Sequence, residues 1–222
     1  MVLLGLSKVT MAQSDSTKSV DLGGMYVGIY HLANQFNDPT MARMALYHLL
    51  MFSNEKSKVL DSMAIYYFDY QQWTSAILVS KENLKLNSDN ELALEIAALS
   101  FENMGIKDQS LENFEKLFLK NDNSNTLYKV AFLQYDLKRL KESKASIAIL
   151  LQRSEINSLT VIFPKADKSQ QEVSMKAAVT NLKGLIAKEE GNIPKAKELF
   201  LEALKLAPGF EIAQANLRDA DK

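Results

Sequence analysis

The sequence predicts an all-α chain, a solenoid of tandem antiparallel helix pairs, and three observations carry that expectation. Several columns of residues return every 34 positions: Ala42, Ala76 and Ser110; Tyr67, Phe101 and Tyr135; Leu60, Leu94 and Tyr128. Within a period, small and aromatic residues keep helical spacing, so that Ala196, Phe200 and Ala203 at i, i+4 and i+7 share one face. With 8 glycines and 4 prolines in 222 residues, the chain also holds little material for the many turns of an all-β fold.

The elements follow in order. Residues 1–22 read as a leader remnant and a disordered start. The run "VLLGL" followed by "SKVTMAQSDSTKS" resembles the end of a secretory signal peptide, with Thr10 and Ala12 at the cleavage site and Gln13 opening the mature chain. It lacks a basic n-region, and its apolar run is only five residues long before Lys8 cuts it off, as a start codon placed too far downstream would leave it. Export is the expectation, periplasmic or beyond; a frayed cytoplasmic terminus is the alternative.

Four units are expected at 23–56, 57–90, 91–124 and 125–158. In the first, "GGMYVG" (Gly23 to Gly28) lacks the Lys-Ser/Thr of a phosphate loop and instead eases a helix start. Met41, Met44 and Met51 are expected as core filler, with an adaptable binding surface as the alternative. Trp73 precedes Ala76 in the second unit and is expected in the core; Ser88 and Asp89 end that unit. The third has Gly105 as breaker, Ser110 in the small-residue column and Phe114 four later. In the fourth, Lys144 falls in that column, and Ala145 beside it suggests a slip of one residue.

Residues 159–176 break the period. Leu159, Val161 and Phe163 alternate with Thr160 and Ile162, as Val173 and Met175 do with Glu172 and Ser174, and a polar run from Pro164 to Gln171 separates them. That pattern predicts a β-hairpin with strands near 159–163 and 172–176, packed on neighbouring helices because two strands alone are marginal. The unit at 177–210 opens with a helix near 179–188 that carries Gly184 at its middle. Such a glycine costs about 1 kcal/mol relative to alanine, which is tolerable where another helix must come close. Gly191 and Asn192 act as breaker and cap, Pro194 fits the first turn, and Pro208 with Gly209 stops the second helix. Residues 211–222 form a final capping helix.

On these residues the chain resembles the tetratricopeptide-repeat (TPR) family, whose unit is a 34-residue helix–turn–helix. Gly184, Ala196, Phe200 and Pro208 stand on the motif's Gly, Ala, Phe and Pro, while Thr180, Lys183 and Ala187 depart from its Trp, Leu and Tyr. The resemblance spans residues 23–222 and implies a right-handed superhelix whose first helices line a concave groove. It implies an interaction protein that binds a peptide or partner protein in that groove and uses no cofactor, and the leader-like N-terminus adds a bacterial cell-envelope setting.

Composition narrows the chemistry. A net charge of −1 offers no field for nucleic acid. Absence of cysteine excludes disulfides, thiolate metal sites, cysteine nucleophiles and a lipidated cysteine. No stretch is long enough to span a membrane. His31 and His48 lie on different helices, and pairs such as Glu189 and Glu190 suit solvated helix faces, so no catalytic or metal-binding constellation is expected. Function falls to surface shape. The residues expected in the groove are Asp61, Ile65, Phe68, Glu95, Leu99, Glu102, Lys129, Leu133 and Asp136. Their apolar members form a stripe, and their acids favour a basic ligand. The family's carboxylate clamp, built from Lys, Asn and Arg, is not matched by Lys58 and Lys129 among so many acids. An enzyme or enzyme accessory with a site between hairpin and solenoid is the second reading.

Overall fold

The computed structural model describes residues 21–220, which fall into two compact units that divide after Asn54. The first unit is one helix pair, α1 (Leu22–Gln35) and α2 (Pro39–Phe52). The Asp21 carboxylate accepts from the Gly24 amide at 2.9 Å and caps α1. A Cβ on Gly24 would run into that carboxylate, so the glycine-rich start serves the cap. Asp38 caps α2 in the same way, with Pro39 in its first turn. Ala33, Ala42, Ala45, Leu46 and Leu49 are buried. Met41, Met44 and Met51 are not: they are 45%, 49% and 73% exposed, which corrects the core-filler expectation. They follow one outer stripe of α2, and the pair is held by alanines instead.

The second unit runs α3 (Lys56–Asp69), α4 (Trp73–Leu86), α5 (Glu91–Asn103), α6 (Lys107–Asn121), α7 (Ser124–Asp136) and α8 (Leu140–Gln152). A 3-10 turn (Ser154–Asn157) leads to β1 (Thr160–Pro164) and β2 (Gln170–Ser174). Then come α9 (Met175–Glu189), α10 (Ile193–Leu206) and α11 (Glu211–Asp219). The architecture is an all-α solenoid of helix pairs with a small hairpin.

Every pair turns the same way. Asn37, Gln71, Gly105, Lys138 and Gly191 have φ of 53°, 55°, 74°, 61° and 77°, one left-handed residue in each turn within a pair. Around each, one amide reaches back three residues and the next reaches back five: Gln71 to Phe68 and Gln72 to Tyr67, Gly191 to Lys188 and Asn192 to Ala187. This double closure satisfies the last carbonyls of the first helix and aims the chain into the second. Small residues then let the two helices cross closely: Ala64 with Ala76, Ala98 with Ser110, and Ala131 with Ser143, all at most 1% exposed.

Those residues correct the register. The left-handed positions recur after 34, 34, 33 and 53 residues. The fourth unit is therefore offset by one residue, toward Ser143 and away from Ala145, which is exposed. The cause lies at Asp122, left-handed with φ 45°, which joins α6 to α7 through Asp122 and Asn123 alone; α4 and α5 are joined by four residues, 87–90. Arg153 clasps this tight turn. It donates to the Asp122 carbonyl at 2.6 Å, pairs with the Asp122 carboxylate, and lays its guanidinium over the Phe118 ring.

The hairpin pairs antiparallel, Val161 opposite Val173 and Phe163 opposite Gln171. Its second strand ends two residues earlier than the alternation suggests, because the Ser174 hydroxyl accepts from the Ala177 amide and starts α9 at Met175. Met175 is fully buried as a helical residue in the cluster of Tyr128, Ala131, Val179 and Leu182, on which Val161 and Phe163 also pack. From the same face, Val173 and Phe163 also pack on Ala177, Ala203, Phe210 and Ala213. Gly184 faces the ring of Phe200, the aromatic residue between Ala196 and Ala203.

Candidate partner-binding groove

Successive first helices adjoin: α3 lies beside α5, and the Glu102–Lys129 pair links α5 to α7. On α3, Ile65 is 41% exposed and Phe68 is half-buried, its ring edge-on to Trp73 at 5.1 Å. Trp73 is thus a half-buried buttress for Phe68 more than a core residue. On α5, Leu99 is half-buried and Glu95 exposed. These four residues form the accessible part of the stripe.

The α7 members do not continue it. Leu133 is 2% exposed and belongs to the core of Leu94, Ala98, Leu111 and Val130, so it cannot meet a partner. The offset explains this: counted from the buried alanines Ala98 and Ala131, the residue equivalent to Leu99 is Phe132, and Tyr128 and Tyr135 stand where Glu95 and Glu102 stand on α5. Phe132 and Tyr135 are half-buried against the cluster that includes α9 and the hairpin. Burial pushes the Tyr128 phenol well above its ordinary value, and burial with the nearby Glu189 carboxylate raises Tyr135. The groove face is therefore packed shut along α7 and open along α3 and α5.

The charges are less free than the sequence implies. Lys129 meets Glu102 at 3.0 Å and Lys107 meets Asp136 at 2.7 Å. Asp61 accepts from the amides of Asn83 at 2.6 Å and Asn90 at 2.9 Å, while Asn90 caps α5. Asp61 is thereby a structural acceptor tying α3, α4 and α5 together. Of the acids expected to attract a basic ligand, Glu95 alone has no partner among the described residues.

The other expected features can be placed as well. His31 is exposed, and His48 stacks on Tyr26 at 4.3 Å. Two hollows beside the hairpin, of about 430 and 400 Å³, are lined by residues such as Ala166, Ile212 and Arg218, and Gln170, Glu172 and Pro208. Neither lining holds a hydroxyl, thiol or imidazole. Among the described residues no group of three or more His, Cys, Asp or Glu could hold a metal ion, and no helix is long and apolar enough to cross a membrane. The leader and its cleavage site lie outside the described residues.

No family model matches the chain, and no curated protein matches it by sequence. Solved structures do match. A tetratricopeptide-repeat protein from Parabacteroides merdae superposes with a TM-score of 0.70 at 14% identity, over 90% of this chain and 72% of that one. YrrB, described as a TPR protein with an unusual peptide-binding site, gives 0.67 at 12% identity over 86% and 89%. PilF of Pseudomonas aeruginosa gives 0.58 at 17% identity over 90% and 82%. The class is therefore that of the tetratricopeptide-repeat fold. Within it, this chain is a variant with a 33-residue step before α7 and a hairpin before its last complete pair.

Proposed function

We propose that the protein is a non-catalytic interaction scaffold of the cell envelope that holds a peptide or partner segment across α3 and α5. The observation that carries this reading is the exposed Ile65 beside half-buried Phe68 and Leu99 on two adjoining helices, bordered by Glu95, which has no partner among the described residues. An apolar side chain of the partner covers the stripe, and a basic residue meets Glu95. That charge steers encounter more than it adds affinity. The neighbour YrrB, with its peptide-binding site, supports a peptide partner, and the leader-like residues 1–12 support export.

A photo-crosslinking residue placed at Ile65, with a control at Leu201 on α10, tests the reading in the native host. The purified partner is then titrated against wild type, Leu99→Ala and Glu95→Lys at two salt concentrations. Leu99→Ala is expected to speed dissociation; Glu95→Lys should slow association and flatten its salt dependence. Crosslinks from Leu201 and none from Ile65, or variants that bind as wild type does, would exclude this groove. N-terminal sequencing of the native protein tests export: a mature start near Gln13 supports it, and an intact Met1 overturns it.

A further inference from the structure

The groove reading leaves a separate cavity unused, on the side of the solenoid where α8, α9 and α10 meet. It is an open hollow of about 290 Å³ whose floor is Ile147, Ile186, Ala187 and Leu199, with the more exposed Ala148 and Leu151 on its wall. Its origin is the inserted segment. Elsewhere in this unit the second helix of one pair lies closely along the first helix of the next, α4 on α5 and α6 on α7. The 3-10 turn and hairpin intervene between α8 and α9, which touch far more sparsely, and the gap between them is this cavity.

Its rim is basic. Lys144, Lys183 and Lys195 stand at the mouth against one acid, Glu190. Lys144 pairs with Glu190 across it, from α8 to the end of α9, and Lys195 pairs with Glu198 at 2.7 Å. Lys183 is half-buried beside the apolar floor and has no ion pair among the described residues. An apolar hollow with an excess of positive charge at its lip suits a ligand with an aliphatic body and an anionic head. The volume lies at the lower edge of the range for small-molecule pockets, about 300–1,000 Å³, which fits one short chain and not a two-chain lipid.

We propose that this cavity is a binding site for a single-chain aliphatic carboxylate, its tail against Ile147, Ile186 and Leu199 and its carboxylate on Lys183. The site is independent of the α3–α5 groove, so neither result decides the other. The probes are sodium octanoate, octanol and octylammonium, each titrated at low millimolar concentration into the ¹⁵N-labelled full chain. Octanoate is expected to shift the amides of Ile147, Ala148, Ile186, Ala187 and Leu199, and octylammonium to leave them in place. Octanol should bind more weakly than octanoate. Lys183→Glu should weaken octanoate about fivefold, the upper end for a half-exposed ion pair. Ala148→Trp, at an exposed position, should fill the hollow and abolish the shifts; the remaining spectrum reports that the variant is folded. Equal binding of octanoate and octylammonium, shifts confined to other residues, or no shift with octanoate would each overturn the proposal.

Discussion

Replacing Gly184 by alanine sets two effects of opposite sign against each other. In a mid-helix position alanine is favoured over glycine by about 1 kcal/mol, so propensity alone predicts a more stable protein. The packing says otherwise. A Cβ on Gly184 would stand 2.6 Å from Phe200 Cδ1, closer still to Cε1, and 3.2 Å from Cζ. Carbon atoms rest at about 3.5–4.0 Å, so the ring would have to retreat by about 1 Å. Phe200 is fully enclosed, among Ala187, Ala196, Leu199 and Ala220, and has nowhere to go without parting α9 from α10. Overpacking of this kind costs about 1–3 kcal/mol. With a rigid backbone on one side of the clash, the upper half applies, and the net expectation is a loss of about 1–2 kcal/mol. Urea unfolding followed by circular dichroism reads it as a lowered midpoint. The double variant Gly184→Ala/Phe200→Leu should recover at least about 1 kcal/mol relative to the sum of the single changes, as contacting residues do. A Gly184→Ala protein as stable as wild type, or additive single changes, would refute the close approach.

Other outcomes follow from the same packing. Ala203→Leu should cost about 1–3 kcal/mol by overpacking, because Ala203 is fully buried against Ala177 and Phe210; a neutral thermal midpoint would contradict that contact. Gln71→Gly should stabilise by about 0.5–1 kcal/mol, since Gln71 is exposed and held left-handed at φ 55°. Denaturant midpoints check its sign. Tyr128 is raised in the folded state by burial, so it contributes stability that is complete below the unfolded value near pH 10 and is lost as pH rises toward the folded value. Wild type should therefore lose stability between pH 9 and 11 more steeply than Tyr128→Phe, and equal slopes would exclude the linkage.

The helix pairs were legible because their crossings need small residues at fixed places, and Gly184 and Ala196 obey that rule as openly as Ala64 and Ala76. The missing residue before α7 was hidden by coincidence. Tyr128 and Tyr135 continue the 34-residue columns of leucine and aromatic residues, while the positions equivalent to the buried Leu94 and Phe101 are now Leu127 and Gln134, at 2% and 6% exposed. The signal that could have exposed it is Ser143, one residue before Lys144. The hairpin showed in its alternation, but Met175 extends that alternation as the first helical residue, so strand and helix patterns overlap at one boundary. The groove was the least legible feature. Helix phase locates a face, yet whether Leu133 or Ile65 is open depends on what is laid over each helix, and Asp61 gained amide partners 22 and 29 residues away in sequence.

The inserted hairpin also bears on how the second unit comes apart. In a stack of repeats cooperativity passes from neighbour to neighbour, and it weakens wherever one junction is thin. Between α8 and α9 the direct junction is thin, and the 3-10 turn and hairpin supply substitute contacts to α9 on one side and to the α10–α11 turn on the other, where Lys165 meets Glu211. What couples the segment from β1 to α11 to the helices before it is then the core that Leu127, Tyr128 and Ala131 of α7 and Ile147 and Leu150 of α8 share with α9. Opening a hole in that core with Leu182→Ala is expected to split amide-exchange protection in this unit into two plateaus, which would make the insertion a hinge of stability inside an otherwise continuous stack.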